Sequence, residues 1–237
     1  MKFGKWIGGG LGWVVFGPIG ALLGFALGAA IDGIKVQKVL PGRTTQNDFV
    51  VSLLVLTAAI MKADGKVLKS ELDYVKRFFL NQFGEEEAKQ YLGLLKDILQ
   101  QNIPVTEVSV QIRHYMDYSA RLQLLHYLFG IARADGEVHP TEISMIREIA
   151  AHLGIQAADL QSIHSMFGSS PSDAYKILEI TPDVTDEEVK KAYRKMAMKY
   201  HPDKVTDLGP EVQRAAKEKF QRLNTAYEQI RQERNIK

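Results

Sequence analysis

The chain has 237 residues, 46% hydrophobic and 24% charged, with a formal net charge of +2. At roughly 150 residues per domain this allows one large domain or two small ones, and the composition excludes a largely disordered chain. The near-neutral charge argues against a nucleic-acid partner, and the lack of cysteine removes disulfides, thiolate metal sites and cysteine nucleophiles together.

From Trp6 to Ile31 there is no charge, hydroxyl or side-chain amide. As a helix this stretch would span about 39 Å, enough to cross a hydrocarbon core of about 30 Å with some tilt. Gly4, Gly8, Gly12, Gly20, Gly24 and Gly28 fall on a four-residue grid broken only by Phe16. That spacing lines them along one face, where missing side chains let a second helix approach closely. Gly8, Gly12, Gly20, Gly24 and Gly28 are therefore candidate self-association residues, and a homodimer is expected. Three readings stay open: a cleaved signal peptide, a glycine-rich hairpin folded on the soluble part with Gly17-Pro18 as its turn, and a membrane-embedded helix. The last suits the length and the glycine grid best. Residues 1–34 are read as the membrane segment and 35–45 as a linker.

Residues 46–167 read as one all-α domain of six or seven helices. Apolar residues recur at three-to-four spacing over 48–62, 70–82, 85–100, 115–133, 141–152 and 157–167. An internal repeat lies within it. Ala63-Asp64-Gly65-Lys66-Val67 is followed by Glu71, and Ala134-Asp135-Gly136-Glu137-Val138 by Glu142. The Gly suits a left-handed helix stop, the Val can tuck under the turn, and the Glu falls in the first turn of the next helix. An EF-hand is excluded, because Ile60, Lys62, Ile131 and Arg133 stand where the first oxygen ligands belong. Two readings of the acids remain: turn and cap chemistry repeated in two helix pairs, or convergence of Asp64, Glu71, Asp135 and Glu142 on a divalent metal. The duplicated Ala-Asp-Gly-x-Val-x-x-x-Glu element in an all-helical stretch resembles the TerB fold of tellurite-resistance proteins. That resemblance implies an association of acidic residues with metal and no catalytic reaction.

Residues 168–172 (Gly-Ser-Ser-Pro-Ser) read as a linker. Beyond it, a short helix is expected over 173–178. A second follows from a capping box of Thr185 and Glu188 and ends at His201-Pro202-Asp203, because proline disfavours helical geometry in the residue before it. A third is expected over about 211–230. With Val189, Ala192, Met196 and Ala197 packed inward, Lys190, Lys191, Arg194, Lys195 and Lys199 are expected on the exposed side.

Tyr175-Lys176-Ile177-Leu178, the Lys190–Lys195 face, His201-Pro202-Asp203, Lys219-Phe220, and Asn224, Ala226 and Tyr227 together resemble the J-domain of DnaJ-type co-chaperones. The resemblance implies a DnaK-type heat-shock chaperone as partner, with stimulation of its ATP hydrolysis. It makes His201 and Asp203 the trigger, Pro202 the residue that fixes their loop, and Lys190, Tyr193, Arg194 and Lys195 the docking face. Two departures stand out. Glu179 occupies a position where many J-domains carry glycine, and residues 204–218 are longer than the bacterial prototype, implying an extended loop or an extra turn.

The whole order of apolar anchor, TerB-like helices and C-terminal J-domain at 173–237 resembles the DjlA-type family of membrane-anchored bacterial co-chaperones. It implies a single-pass protein of the bacterial inner membrane. The J-domain would be cytoplasmic, where a DnaK-type partner meets ATP. No cofactor is expected beyond a divalent metal in the TerB-like domain. A different class of function is a metal-responsive envelope-stress adaptor whose J-domain is a structural module. Catalysis by this chain is not expected: His114, His126, His139, His152 and His164 are scattered, with no nucleophile–base pair.

Overall fold

The computed structural model describes residues 17–23, 46–63, 65, 67–134, 136, 139–168 and 171–236. They form an all-α protein, with no strand among them. The first domain contains α1 (Gln46–Met61), α2 (Lys69–Leu99), α3 (Val105–Tyr115), α4 (Tyr118–Ala132), α5 (Pro140–His152) and α6 (Ala157–Ser165). The long α2 is two helices joined at Gly84, whose φ of 78° breaks the helical path, so the two helices expected on either side of that glycine both form.

Two helices make the centre. In α1, residues from Phe49 to Met61 are buried almost without interruption, and in α4 burial runs from Leu122 to Ala132. A helix apolar on all sides has to be enclosed, and these two pack against one another, with α2 and α5 around them. Edge-on rings of Phe49, Phe78 and Tyr127 fill the space between α1, α2 and α4.

The duplicated element appears as two matching turns. Gly65 and Gly136 both have positive φ, 80° and 97°. Each donates its N–H over 3.0 Å, to the carbonyl of Lys62 and of Arg133. Glu71 accepts the N–H of Leu68 and Glu142 that of His139, both at 2.9 Å, which satisfies a donor that the helix start leaves over. Val67 does not tuck beneath its turn but is 46% exposed, because the buried Glu71 closes the turn instead.

Residues 17–23 are helical, with Leu22 and Leu23 buried. The Ile19 N–H donates to Gln111 Oε1 at 3.0 Å, and Gln101 Nε2 donates to the Leu22 carbonyl at 3.2 Å. These seven residues thus pack on the first domain. Among the described residues no helix is long and apolar enough to cross a membrane. Of the glycine face, Gly20 is described and buried, while Gly8, Gly12, Gly24 and Gly28 lie outside the described residues.

The second domain contains α7 (Pro171–Ile177), α8 (Asp186–Lys199), a 3-10 helix (Pro202–Leu208) and α9 (Pro210–Glu233). The extra length after the His-Pro-Asp segment goes into that 3-10 helix and into early turns of α9, with Gly209 at φ 96° allowing the sharp change of direction. The two domains are in contact. α7 packs on α6, α9 touches α2, and the 3-10 helix lies against α4 and α1.

Candidate functional site

The site is built on α8. Thr185 caps it, accepting the Glu188 N–H at 3.3 Å, while Glu188 accepts the Thr185 N–H at 2.8 Å. Three acids open the helix and Lys199 closes it, the arrangement that the helix dipole favours. Val189, Met196 and Tyr200 are buried. Lys191, Arg194 and Lys195 are exposed. Lys190 is half-buried and pairs with Glu187 at 3.1 Å, and Lys195 pairs with Glu179 at 3.3 Å.

Tyr193 faces another way. Its ring stacks on Tyr227 with centroids 4.2 Å apart, and its hydroxyl donates to Asn224 Oδ1 at 3.1 Å. It ties α8 to α9 inside the hairpin, and the cationic strip is presented by its neighbours.

His201 is extended (φ −60°, ψ 130°), the geometry that a following proline enforces. Its Nδ1 accepts the Asp203 N–H at 3.3 Å and lies 3.5 Å from Asp203 Oδ2. Pro202 is buried, whereas the side chains of His201 and Asp203 are 50% and 75% exposed. The His201 ring meets Phe220 edge-on, with centroids 5.9 Å apart. Two polar groups are thus held outward on a short, cross-linked loop beside a row of cations. Such a surface can steer an acidic partner and then make a pre-ordered contact with it.

Lys199, expected among the exposed cations, is four-fifths covered. It pairs with Glu179 at 3.0 Å and with Asp159. Burial alone would lower its pKa, but hydrogen bonds to these two carboxylates outweigh that and hold it above the usual lysine range. Asp159, on α6, is fully buried and also accepts the hydroxyls of Tyr118 (2.6 Å, at Oδ2) and Tyr200 (3.3 Å, at Oδ1). Burial and the bond to Asp159 push the Tyr118 hydroxyl up to about 12. Burial likewise pushes Tyr200 well above its ordinary range.

Sequence reasoning missed Asp159. It stands in the first turn of its helix, where an acid needs no explanation beyond the dipole. Glu179 did carry a signal. At the position where many J-domains hold glycine, its φ is +56°, a left-handed conformation that glycine adopts without cost.

Of the four acids named as metal ligands, Glu71 and Glu142 are engaged as caps, and Asp64 and Asp135 lie outside the described residues. Among the described residues, no group of three or more His, Asp or Glu is placed to hold a metal ion.

Residues 51–165 match the family described as Tellurite resistance protein TerB, residues 173–237 the DnaJ domain, and residues 1–46 the Co-chaperone DjlA transmembrane domain. The chain is similar to the Co-chaperone protein DjlA of Vibrio cholerae serotype O1, 29% identical over 81% of this chain and 80% of that protein. It is 27% identical to the protein of the same name from Photobacterium profundum, over 99% of this chain and 100% of that one. The one from Coxiella burnetii is 25% identical, over 98% of each chain. No solved structure matches.

Proposed function

The chain belongs to the DjlA-type J-domain co-chaperones, and we propose that it recruits a DnaK-type chaperone to a membrane and stimulates that partner's ATP hydrolysis. The observation that carries this reading is the His201-Pro202-Asp203 loop, cross-linked through His201 Nδ1 and exposed at the end of the cationic helix. Lys191, Arg194 and Lys195 set the encounter with an acidic surface, and Asp203 delivers the contact that acts on hydrolysis. ATP binds the partner; this chain has no glycine-rich phosphate loop. On the same reading the N-terminal segment anchors the chain in the bacterial inner membrane and dimerises through its glycine face, apart from residues 17–23, which rest on the TerB domain. Everything beyond that segment lies in the cytoplasm, where ATP is.

The test is single-turnover ATP hydrolysis by a DnaK-type chaperone with the full chain in lipid nanodiscs. The wild-type chain should raise the rate by about tenfold or more, and Asp203→Asn should remove that rise. A folded wild-type chain that leaves the rate unchanged, or an Asp203→Asn chain that stimulates equally, rejects the reading.

A further inference from the structure

The loop that carries the proposed activity is exposed, yet the chain on both sides of it is fastened to the other domain. On the upstream side, Lys199 and Tyr200 immediately precede His201, and both reach Asp159 of the TerB domain. On the downstream side, Val205 and Leu208 are buried where the 3-10 helix lies against α4 and α1. The joint extends further. Ser162 Oγ donates to the Ile177 carbonyl at 2.8 Å, and Arg222 Nη1 donates to the Met166 carbonyl at 2.5 Å.

Asp159 is the centre of this joint, and its chemistry makes the coupling obligatory. A fully buried carboxylate is strongly disfavoured unless it is hydrogen-bonded and paired with a cation. Within its own domain it meets the hydroxyl of Tyr118, which in turn accepts the Gln156 N–H at 3.1 Å. The cation, Lys199, comes from the J-domain. The TerB domain therefore contains a charge that is completed by the last turn of α8.

We propose that Asp159 is a positioning residue for the His201-Pro202-Asp203 loop: it fastens the end of α8 to the TerB domain, so that both domains present the loop as one body. The functional half of this inference rests on the co-chaperone reading above, while the structural half rests on the geometry alone. The contact holds the loop without covering it, since His201 and Asp203 keep half and three-quarters of their side chains exposed. Lys191, Arg194 and Lys195 are likewise left exposed. Loss of the clamp should therefore spare the encounter with the partner and impair the step after it.

The experiment uses the full chain in lipid nanodiscs and two variants, Asp159→Asn and Tyr200→Phe. Asp159→Asn removes the charge with little change of shape. Tyr200→Phe removes one hydroxyl and keeps the ring, so it reports if the first variant does not fold. In the folded variants, hydrogen exchange of the amides of residues 203–206 should be faster by about tenfold. Maximal stimulation of a DnaK-type chaperone should fall about fivefold, and the concentration giving half of it should stay within about twofold of the parent. Unchanged exchange in a folded variant overturns the proposal. So does a loss confined to the half-maximal concentration, or a maximal rate that is unchanged or raised, the last marking the joint as a brake. If the parent chain itself fails to stimulate, the co-chaperone reading fails, and the exchange measurement still decides whether Asp159 positions the loop.

Discussion

Glu179 lies in left-handed backbone, at φ +56°, and its carboxylate sits 3.0 Å from the ammonium of Lys199. A backbone conformation that costs a non-glycine residue about 1–2 kcal/mol is retained where the side chain is used. Here it is used twice, because Lys195 is held by the other oxygen at 3.3 Å. One carboxylate links an exposed cation of the docking strip to a covered cation of the domain joint.

That dual use makes Glu179 separable by substitution. Glu179→Ala keeps the strained backbone and strips a largely buried partner from Lys199, so a loss of about 1–3 kcal/mol is expected. Glu179→Gly loses the same partner but relieves the backbone, and should be the more stable of the two by about 1 kcal/mol. Urea unfolding of the two variants beside the parent checks the order, and an alanine variant as stable as the glycine one contradicts it.

Lys219 gives the protein a pH dependence in the alkaline range. Burial pushes its ammonium down to about 7, with Asp159 pulling it part of the way back. In the unfolded chain a lysine titrates near 10.4. Between about 7 and about 10.4 the unfolded chain thus holds a proton that the folded one lacks, and stability rises with pH across that window. Below it both states carry the charge, and the folded state bears the full burial cost. Lys219→Met should therefore be more stable than the parent at about pH 6, with the gap closing toward about pH 10.

His126 acts with the same sign at lower pH. Burial, and the nearby charges of Lys219 and Arg222, hold it well below the ordinary histidine range. Stability contributed by its neutral form is lost as pH falls through about 6.5, where the unfolded histidine takes up its proton. His126→Gln should flatten the acid limb of a plot of stability against pH, which thermal melts at several pH values would show.

The cationic strip should govern encounter and leave the later step alone. Replacing Lys191, Arg194 and Lys195 with alanine should raise the half-maximal concentration for a DnaK-type partner by about tenfold at low salt, and by less as salt is added. Titrations of ATPase stimulation at several salt concentrations measure it. An effect independent of salt would assign these residues a role other than electrostatic attraction.

The two repeat turns should respond alike. Glu71→Ala and Glu142→Ala each leave one backbone donor without its carboxylate, and a loss of about 1 kcal/mol apiece is expected. Because the two caps occupy separate turns, the double variant should show the sum to within about 0.5 kcal/mol. Chemical denaturation of the three variants decides it.

Much of this protein is decided by local chemistry, and that part is legible in the chain. Helix starts and stops follow from short-range signals: the Thr185 box, the proline after His201, the left-handed glycines 65 and 136, and the break at Gly84. The all-α class follows from periodicity. The J-domain follows from the company that the His-Pro-Asp triplet keeps, and its match to the DnaJ family agrees.

What the linear order could not decide is which side of a helix meets another domain. Periodicity places Lys199 on the polar side of α8, and the J-domain resemblance sets Tyr193 beside the cations. It contains no term for α6 approaching α8 with a buried acid, nor for Tyr227 offering a ring to stack on. Val67 departed from its expected place under the turn for a related reason, while Glu71 kept its place in the first turn of the helix. An apolar residue can be left in water at modest cost, whereas a helix-start N–H that is left over needs its acceptor, so the acid took the inner position. The chain itself determined its helices, their ends and the identity of the loop. Tertiary packing alone decided that Asp159 and Lys199 meet, because the worth of a buried charge depends on a partner 40 residues away in sequence and adjacent only in the fold.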